Sequence, residues 1–86
     1  GLGRYDVMLQ PRDPQKLPAM ILEFKAHRPR REASIEDTAK NALKQIIEKD
    51  YAATLIDAGI KKENIYKYGF AFKGKEVYIM DESELD

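Results

Sequence analysis

Polar and apolar side chains alternate at the start of the chain, over residues 4–10. Because successive residues of a β-strand point to opposite faces, this alternation predicts a first strand with two unlike sides. A second apolar run, AMILEFKA, covers residues 19–26 and includes two charged residues, Glu23 and Lys25. The loop between the runs, residues 11–18, contains three prolines, so the two strands are predicted to form an antiparallel hairpin.

The middle of the chain has helical periodicity. Ser34 is a suitable N-cap, and Glu36 and Asp37 follow it, where carboxylates stabilise a helix N-terminus. Gly59 is a typical residue at a helix C-terminus. One long helix is therefore predicted over residues 35–58. Its apolar stripe comprises Ile35, Ala39, Ala42, Leu43, Ile46 and Ala53.

A strand pattern returns over residues 64–72, and a glycine turn leads from it into a last strand over residues 77–80. Gly69, inside the third strand, indicates a bulge or a close approach of the helix. The alternating aromatic residues could stack on bases, but we expect them to form the core face against the helix: Tyr66, Tyr68, Phe70 and Phe72. The predicted fold is therefore an α/β domain of order β-β-α-β-β, with a mixed or antiparallel sheet on one long helix.

Composition narrows the classes of function. The chain of 86 residues is long enough for one small domain, residues 1–86. It has 15 basic and 15 acidic residues, so only a local patch could attract nucleic acid or an anionic membrane. The absence of cysteine excludes disulfides and thiolate zinc sites. No apolar run approaches the roughly 20 residues of a membrane span, and we expect a cytoplasmic protein.

Three charged residues are predicted to converge on one patch of the hairpin: Asp6, Glu23 and Lys25. A turn centred near residues 14 and 15 puts Asp6 opposite Glu23 to within one residue, with Cβ atoms about 4.5–5.5 Å apart. A slip of one residue would turn Asp6 to the other face. Neighbouring carboxylates repel each other, and a divalent cation relieves the repulsion. A cation of this kind beside a lysine suits hydrolysis of a phosphodiester bond.

A plainer interpretation stands beside this one. Glu23 and Lys25 could belong to an ordinary set of ion pairs on a solvated sheet face. The apolar residues around them favour the functional interpretation. The connector of residues 27–33 is basic, and its arginines could contact phosphates or simply be solvated. The single histidine, His27, follows Lys25 by two residues and could continue the same face toward the site, but it is expected to be solvated.

The ordered segments GRYD, ILEFK, ALKQIIEKDY and KYGFAFKGKEV resemble the PD-(D/E)xK nuclease superfamily over residues 3–80. More narrowly, they are similar to the nuclease-like domain at the C-terminus of bacterial AAA-ATPase-like proteins. The resemblance implies a restriction-endonuclease-like fold that hydrolyses DNA with Mg²⁺ or Mn²⁺. It also implies that Asp6 and Glu23 bind the metal and that Lys25 assists catalysis.

The resemblance carries a fourth candidate, Gln45, which is similar to the glutamine that RecB-like members place beside the site. Those members have a tyrosine four residues later, whereas this chain has Lys49 there and Tyr51 two residues further on. Gln45 and Tyr51 are six residues apart and do not share a helix face, so Tyr51 is expected to pack against other residues and not to act in the site.

The superfamily core, αβββαβ, implies that a first helix and a first strand lie upstream of this chain. The chain is therefore expected to be a fragment of a longer protein that also contains an ATPase domain. An exposed sheet edge would then promote self-association of the fragment. The alternative to a nuclease is a non-catalytic module of the same fold that binds other proteins or DNA.

Overall fold

The computed structural model describes residues 4–14 and 16–85, which form a four-stranded sheet and two helices. The elements are β1 (Arg4–Leu9), β2 (Ala19–Ala26), α1 (Ile35–Glu48), α2 (Tyr51–Asp57), β3 (Ile65–Lys73) and β4 (Glu76–Asp81). The strands lie in the order β1-β2-β3-β4. The outer pairs are antiparallel and the central pair, β2 with β3, is parallel. This mixed α/β architecture confirms the predicted fold class and is consistent with a restriction-endonuclease-like fold. In the described part of the chain, no helix is long and apolar enough to cross a membrane.

The core lies between the sheet and the two helices. We call the covered side of the sheet the helix face; its residues on the two central strands are Ala19, Ile21, Glu23 and Lys25 of β2, and Ile65, Lys67, Gly69 and Ala71 of β3. Leu43 and Ile46 of α1 and Leu55 of α2 pack against this side and are almost completely buried. The apolar stripe predicted for α1 therefore faces the sheet.

At Gly69 the backbone of α1 comes very close to the sheet. A Cβ atom at this position would lie 2.3 Å from the carbonyl oxygen of Ala39 and 3.2 Å from the Cβ of Ala42. No side chain fits in that space. The glycine therefore allows close helix–sheet packing, which is one of the two interpretations that its position in the strand suggested.

The opposite side of the sheet, the open face, carries the aromatic row that was predicted to form the core. That prediction was wrong, because Tyr66 is 45% exposed and Phe72 is 37% exposed. The rings pack on one another instead, with centroids 4.8 Å apart for Phe24 and Phe70. The helix face of β3 consists of the intervening residues, which are smaller at the point of contact with α1. The open face comprises Val7, Leu9, Met20, Leu22, Phe24, Tyr66, Tyr68, Phe70, Phe72, Val77 and Ile79.

The single long helix that was predicted is interrupted at Asp50, so this prediction also needs correction. Asp50 has a left-handed backbone conformation, with φ of 51°, which aspartate tolerates better than most residues. It ends α1 and lets α2 start in a new direction at Tyr51. The predicted start is confirmed, because Ser34 Oγ accepts a hydrogen bond of 3.2 Å from the backbone N–H of Asp37. Gly59, with φ of 97°, follows the end of α2.

Candidate metal-binding and catalytic site

Asp6 and Glu23 are direct partners in the antiparallel pairing of β1 with β2. Directly paired residues point to the same face of a sheet, with Cβ atoms about 4.5–5.5 Å apart. Both carboxylates therefore belong to the helix face, and the register predicted from the loop length is confirmed. The side chain of Asp6 is 31% exposed, whereas Glu23 is 0% exposed. Of the paired carboxylates, Asp6 lies at the rim of the sheet and Glu23 lies beneath the helices.

The burial of Glu23 follows from its place in the centre of the sheet. Its neighbour in β3 is Gly69, where the backbone of α1 leaves no room for a side chain. A carboxylate this far from water is costly, so proteins retain it where cations or hydrogen-bond donors compensate the charge. A solvated face, the plainer interpretation of the sequence, does not describe this residue.

Asp6 lies in contact with the start of α2. The Tyr51 hydroxyl donates a hydrogen bond to Asp6 Oδ2, and the Lys49 ammonium lies 3.8 Å from the same oxygen. The hydrogen bond to Asp6, followed by burial, raises the pKa of Tyr51, while the nearby ammonium of Lys49 opposes the shift. Tyr51 also packs against the core, so the predicted packing role is correct but incomplete. The break at Asp50 brings residues 49 and 51 to the same carboxylate.

A cavity of about 170 Å³ lies beside this contact. Asp6, Met8, Ile21 and Tyr51 are among its lining residues. Its volume exceeds the roughly 30 Å³ that one water molecule takes up in the liquid. There is therefore space next to the exposed carboxylate for a hydrated ion or for part of a phosphate group.

Lys25 lies two residues beyond Glu23 on β2, on the same face, and its side chain is only 12% exposed. Its ammonium lies 3.4 Å from Glu32 Oε2. The sequence did not identify Glu32 as part of the site. It is the one acidic residue in the basic connector of residues 27–33, and that isolation was the available signal.

Glu32 is itself tightly held. Its Oε1 accepts hydrogen bonds from the backbone N–H of Arg28 at 2.7 Å and from the Thr38 hydroxyl at 3.0 Å. Its Oε2 accepts one from the Asn41 amide at 3.0 Å. Burial raises the pKa of Glu32, but the three hydrogen bonds and Lys25 outweigh this effect and lower the pKa to about 2. Glu32 is therefore a fixed negative charge under α1.

The prediction that His27 is solvated was wrong. Its side chain is 4% exposed, and its Nδ1 lies 2.7 Å from the Thr38 hydroxyl oxygen. A hydroxyl can both donate and accept, so Thr38 links His27 to Glu32. The histidine thus extends the polar cluster around Glu32. The neighbouring arginines of the connector, Arg28, Arg30 and Arg31, are exposed.

Gln45 lies on α1 and is half-buried. It follows Asn41 by four residues and Thr38 by seven, so the three positions share one side of the helix. This side also carries the contacts to Glu32. The catalytic role of Gln45 stays a prediction.

The residues present suit a small divalent cation with oxygen ligands. Across residues 4–14 and 16–85, no group of three or more histidine, aspartate or glutamate side chains is arranged to hold a metal ion. A cation between Asp6 and Glu23 would therefore have two protein carboxylates and complete its shell with water. Mg²⁺ commonly binds in this way.

The mixed α/β architecture is consistent with a restriction-endonuclease-like fold, and its helix face carries the paired carboxylates of Asp6 and Glu23. The family model of the PD-(D/E)XK nuclease superfamily matches residues 1–82, so the chain belongs to this superfamily. Membership indicates a nuclease-type function, and nucleases of this superfamily generally use divalent metals. No curated protein and no solved structure is significantly similar to the chain.

Proposed function

We propose that the chain is a metal-dependent nuclease that hydrolyses DNA phosphodiester bonds. The observation that carries the proposal is the direct pairing of Asp6 with Glu23 on the helix face, with Lys25 two residues further along. Superfamily membership supports the same chemistry. We take Asp6 and Glu23 as the metal ligands and Lys25 as the catalytic cation.

Each residue has a distinct task in this proposal. A divalent cation, when bound, lowers the pKa of a water molecule and neutralises charge on the phosphate. Asp6, at the rim, and the buried Glu23 would be the two residues that hold the ion. Lys25 stabilises the negative charge that develops on the phosphate oxygens. Gln45, further along α1, is the candidate for positioning the substrate or the water.

DNA is the proposed substrate because phosphate contacts are available beside the site. Arg28, Arg30 and Arg31 are exposed on the connector, which also supplies Glu32 to Lys25. Guanidinium groups bind phosphate oxygens and contribute an affinity that falls with salt concentration. Such contacts would hold the backbone of the DNA without reading its sequence.

Two further expectations accompany this proposal. An ATPase domain in the same full-length chain would couple the nuclease to nucleotide hydrolysis. Self-association would follow from pairing at a sheet edge, since β1 and β4 are the outer strands of the described sheet. Sedimentation at high protein concentration tests the second expectation, and a strictly monomeric profile would contradict it.

The alternative is a non-catalytic module of the same fold that binds protein or DNA. The contacts of Tyr51 and Lys49 with Asp6 favour it, because they already engage a carboxylate that the nuclease needs for metal. A module of this kind would bind DNA in the presence of a chelator and show a steep salt dependence.

Cleavage assays test the nuclease directly. Plasmid and single-stranded DNA are incubated with the protein and Mg²⁺ or Mn²⁺, and initial rates are compared for wild type, Lys25→Ala and Lys44→Ala. Lys44 is an exposed residue of α1 and serves as the matched control. We expect Lys25→Ala to lower the rate at least about 100-fold and Lys44→Ala to change it less than about twofold. Equal rates for the two variants would contradict the mechanism.

Isothermal titration with Mn²⁺, without DNA, separates the nuclease from the non-catalytic module. We expect wild type to bind the ion, and Asp6→Asn and Glu23→Gln each to weaken binding at least about tenfold. The exposed Glu63→Gln substitution is the control. Heat that is the same in all four proteins would show that the carboxylate pair holds no metal.

A further inference from the structure

We propose that Glu32 is a positioning residue, which holds the ammonium group of Lys25 in place beside Glu23. The inference rests on the proposed function, because it assigns Glu32 a task in the same reaction. Glu32 touches neither the substrate nor the metal in this proposal. It acts through Lys25.

Glu32 compensates the charge of Lys25. Lys25 is 12% exposed and needs a compensating charge, because a buried ammonium without one is strongly destabilised. Glu32 supplies that charge at 3.4 Å, and its side chain is 3% exposed. Two charges so far from bulk water are weakly screened, so their contact restricts the lysine more than a surface ion pair would.

The carboxylate of Glu32 is rigidly held. Its carboxylate accepts from the backbone of Arg28, from Thr38 and from Asn41, so donors from the connector and from α1 fix both oxygens. The low pKa of Glu32, about 2, keeps it ionised throughout the range in which enzymes work. A lysine has four rotatable bonds, and a fixed partner removes much of its freedom before any substrate binds.

A turn of the connector brings Glu32 to Lys25. Turn hydrogen bonds from the backbone N–H groups of Arg31 and Glu32 to the carbonyl of Arg28 fold the connector back over the end of β2. The N-cap Ser34 then starts α1 two residues later. Glu32 is therefore held between the end of β2 and the first turns of α1.

Side-chain dynamics test the inference without metal or DNA. The order parameter of the Lys25 Cε methylene is measured by ¹³C relaxation in wild type and in Glu32→Gln, with Lys44 as the mobile reference. We expect Lys25 to be ordered in wild type and as mobile as Lys44 in the variant. If Lys25 is already as mobile as Lys44 in wild type, the inference is overturned, and that measurement needs no variant to fold.

A double-mutant cycle in DNA cleavage tests the functional part. Glu32→Gln is expected to lower kcat about tenfold and to leave KM within about twofold. In the Lys25→Ala background, Glu32→Gln is expected to cause no further loss of kcat, because the lysine that Glu32 positions is absent. An equal loss in both backgrounds would show a merely structural role and would overturn the inference. Glu48→Gln, an exposed carboxylate of α1, is the control.

The two experiments also keep the inference distinct from the proposed function. If Lys25 is ordered by Glu32 but Lys25→Ala cleaves DNA as fast as wild type, the nuclease mechanism fails and the positioning contact stands. If Lys25→Ala is inactive but Glu32→Gln is fully active, the nuclease mechanism stands and the positioning role fails.

Discussion

The two faces of the sheet are made from the same four strands, yet they differ in the size and charge of their side chains. The helix face is buried and includes Gly69, Ala71 and the carboxylate of Glu23. The open face carries large apolar residues, and Tyr66 and Ile79 on it are 45% and 51% exposed. Hydrophobicity alone therefore does not decide which face is covered. The face with small residues is covered, because it lets the backbone of a helix come close.

The two faces also differ in the free-energy cost of holding charged residues. A solvated face would hold Asp6, Glu23 and Lys25 at little cost, since exposed ion pairs change stability by about 0–1 kcal/mol. Glu23 and Lys25 instead lie on the covered face, where removing charges from water is expensive. Buried titratable groups that converge in this way are frequent at functional sites. The covered face thus combines the close helix–sheet contact at Gly69 with the candidate chemistry.

The largest effect is expected from Gly69→Ala. Its new Cβ would meet the carbonyl oxygen of Ala39 at 2.3 Å, so α1 would have to move away from the whole helix face. We expect a loss of at least about 3 kcal/mol in the free energy of unfolding, measured by urea denaturation. The control is Gly74→Ala, where nothing lies within 4 Å and only the left-handed backbone, at about 1 kcal/mol, opposes a side chain. Equal losses for both variants would show that α1 does not pack tightly at Gly69.

A matched pair of substitutions compares the two faces directly. Ile21 on the helix face is 1% exposed, and Ile79 on the open face is 51% exposed. Isoleucine to threonine preserves the branched strand-forming shape and replaces apolar surface by a hydroxyl. We expect Ile21→Thr to cost about 3 kcal/mol and Ile79→Thr at most about 1 kcal/mol in urea denaturation. A loss above about 2 kcal/mol for Ile79→Thr would show that the open face is buried in solution.

The strands and their pairing could be predicted because the relevant signals are local. Alternation over residues 4–10 and the length of the following loop were enough to put Asp6 opposite Glu23, as the structure has it. The face of β3 that meets the helix could not be predicted from alternation alone. The residues on the open face are aromatic, whereas those on the helix face include Lys67 and Gly69, so the size of the side chains and not their hydrophobicity decides between the two sets. Gly69 carried that information, because a glycine in a strand marks a close approach.

The parts of the site that escaped prediction depend on turns. Asp50 adopts a left-handed conformation that turns Tyr51 toward Asp6, and no helical period reveals this change of direction. Glu32 lies in the basic connector, seven positions after Lys25 of β2, and it reaches Lys25 through the turn at Arg28. Contacts closed by irregular backbone have no periodic pattern in the sequence.

A smaller effect than those of Gly69→Ala and Ile21→Thr is expected for the charge beneath the helix face, and it depends on pH. The folded-state pKa of Glu32, about 2, lies below the ordinary value of 4.5. Ionised Glu32 therefore stabilises the fold above pH 4.5, and this contribution is lost as the pH falls toward 2. We expect Glu32→Gln to lower the free energy of unfolding by about 2 kcal/mol at pH 7. The difference from wild type should shrink below pH 4.5 and vanish near pH 2, as followed by urea denaturation across this range.

The control for this pH dependence is Glu63→Gln, which alters an exposed carboxylate and should leave the curve of wild type unchanged. A difference between Glu32→Gln and wild type that is constant from pH 7 to pH 2 would mean that the substitution acts through packing alone. A difference that disappears in acid would instead show that the charge of Glu32 stabilises the covered face. The hydrogen bonds from Asn41, Arg28 and Thr38 lower the pKa of Glu32 more than Lys25 does, so the curve reports chiefly on the hydrogen bonds that fix this carboxylate.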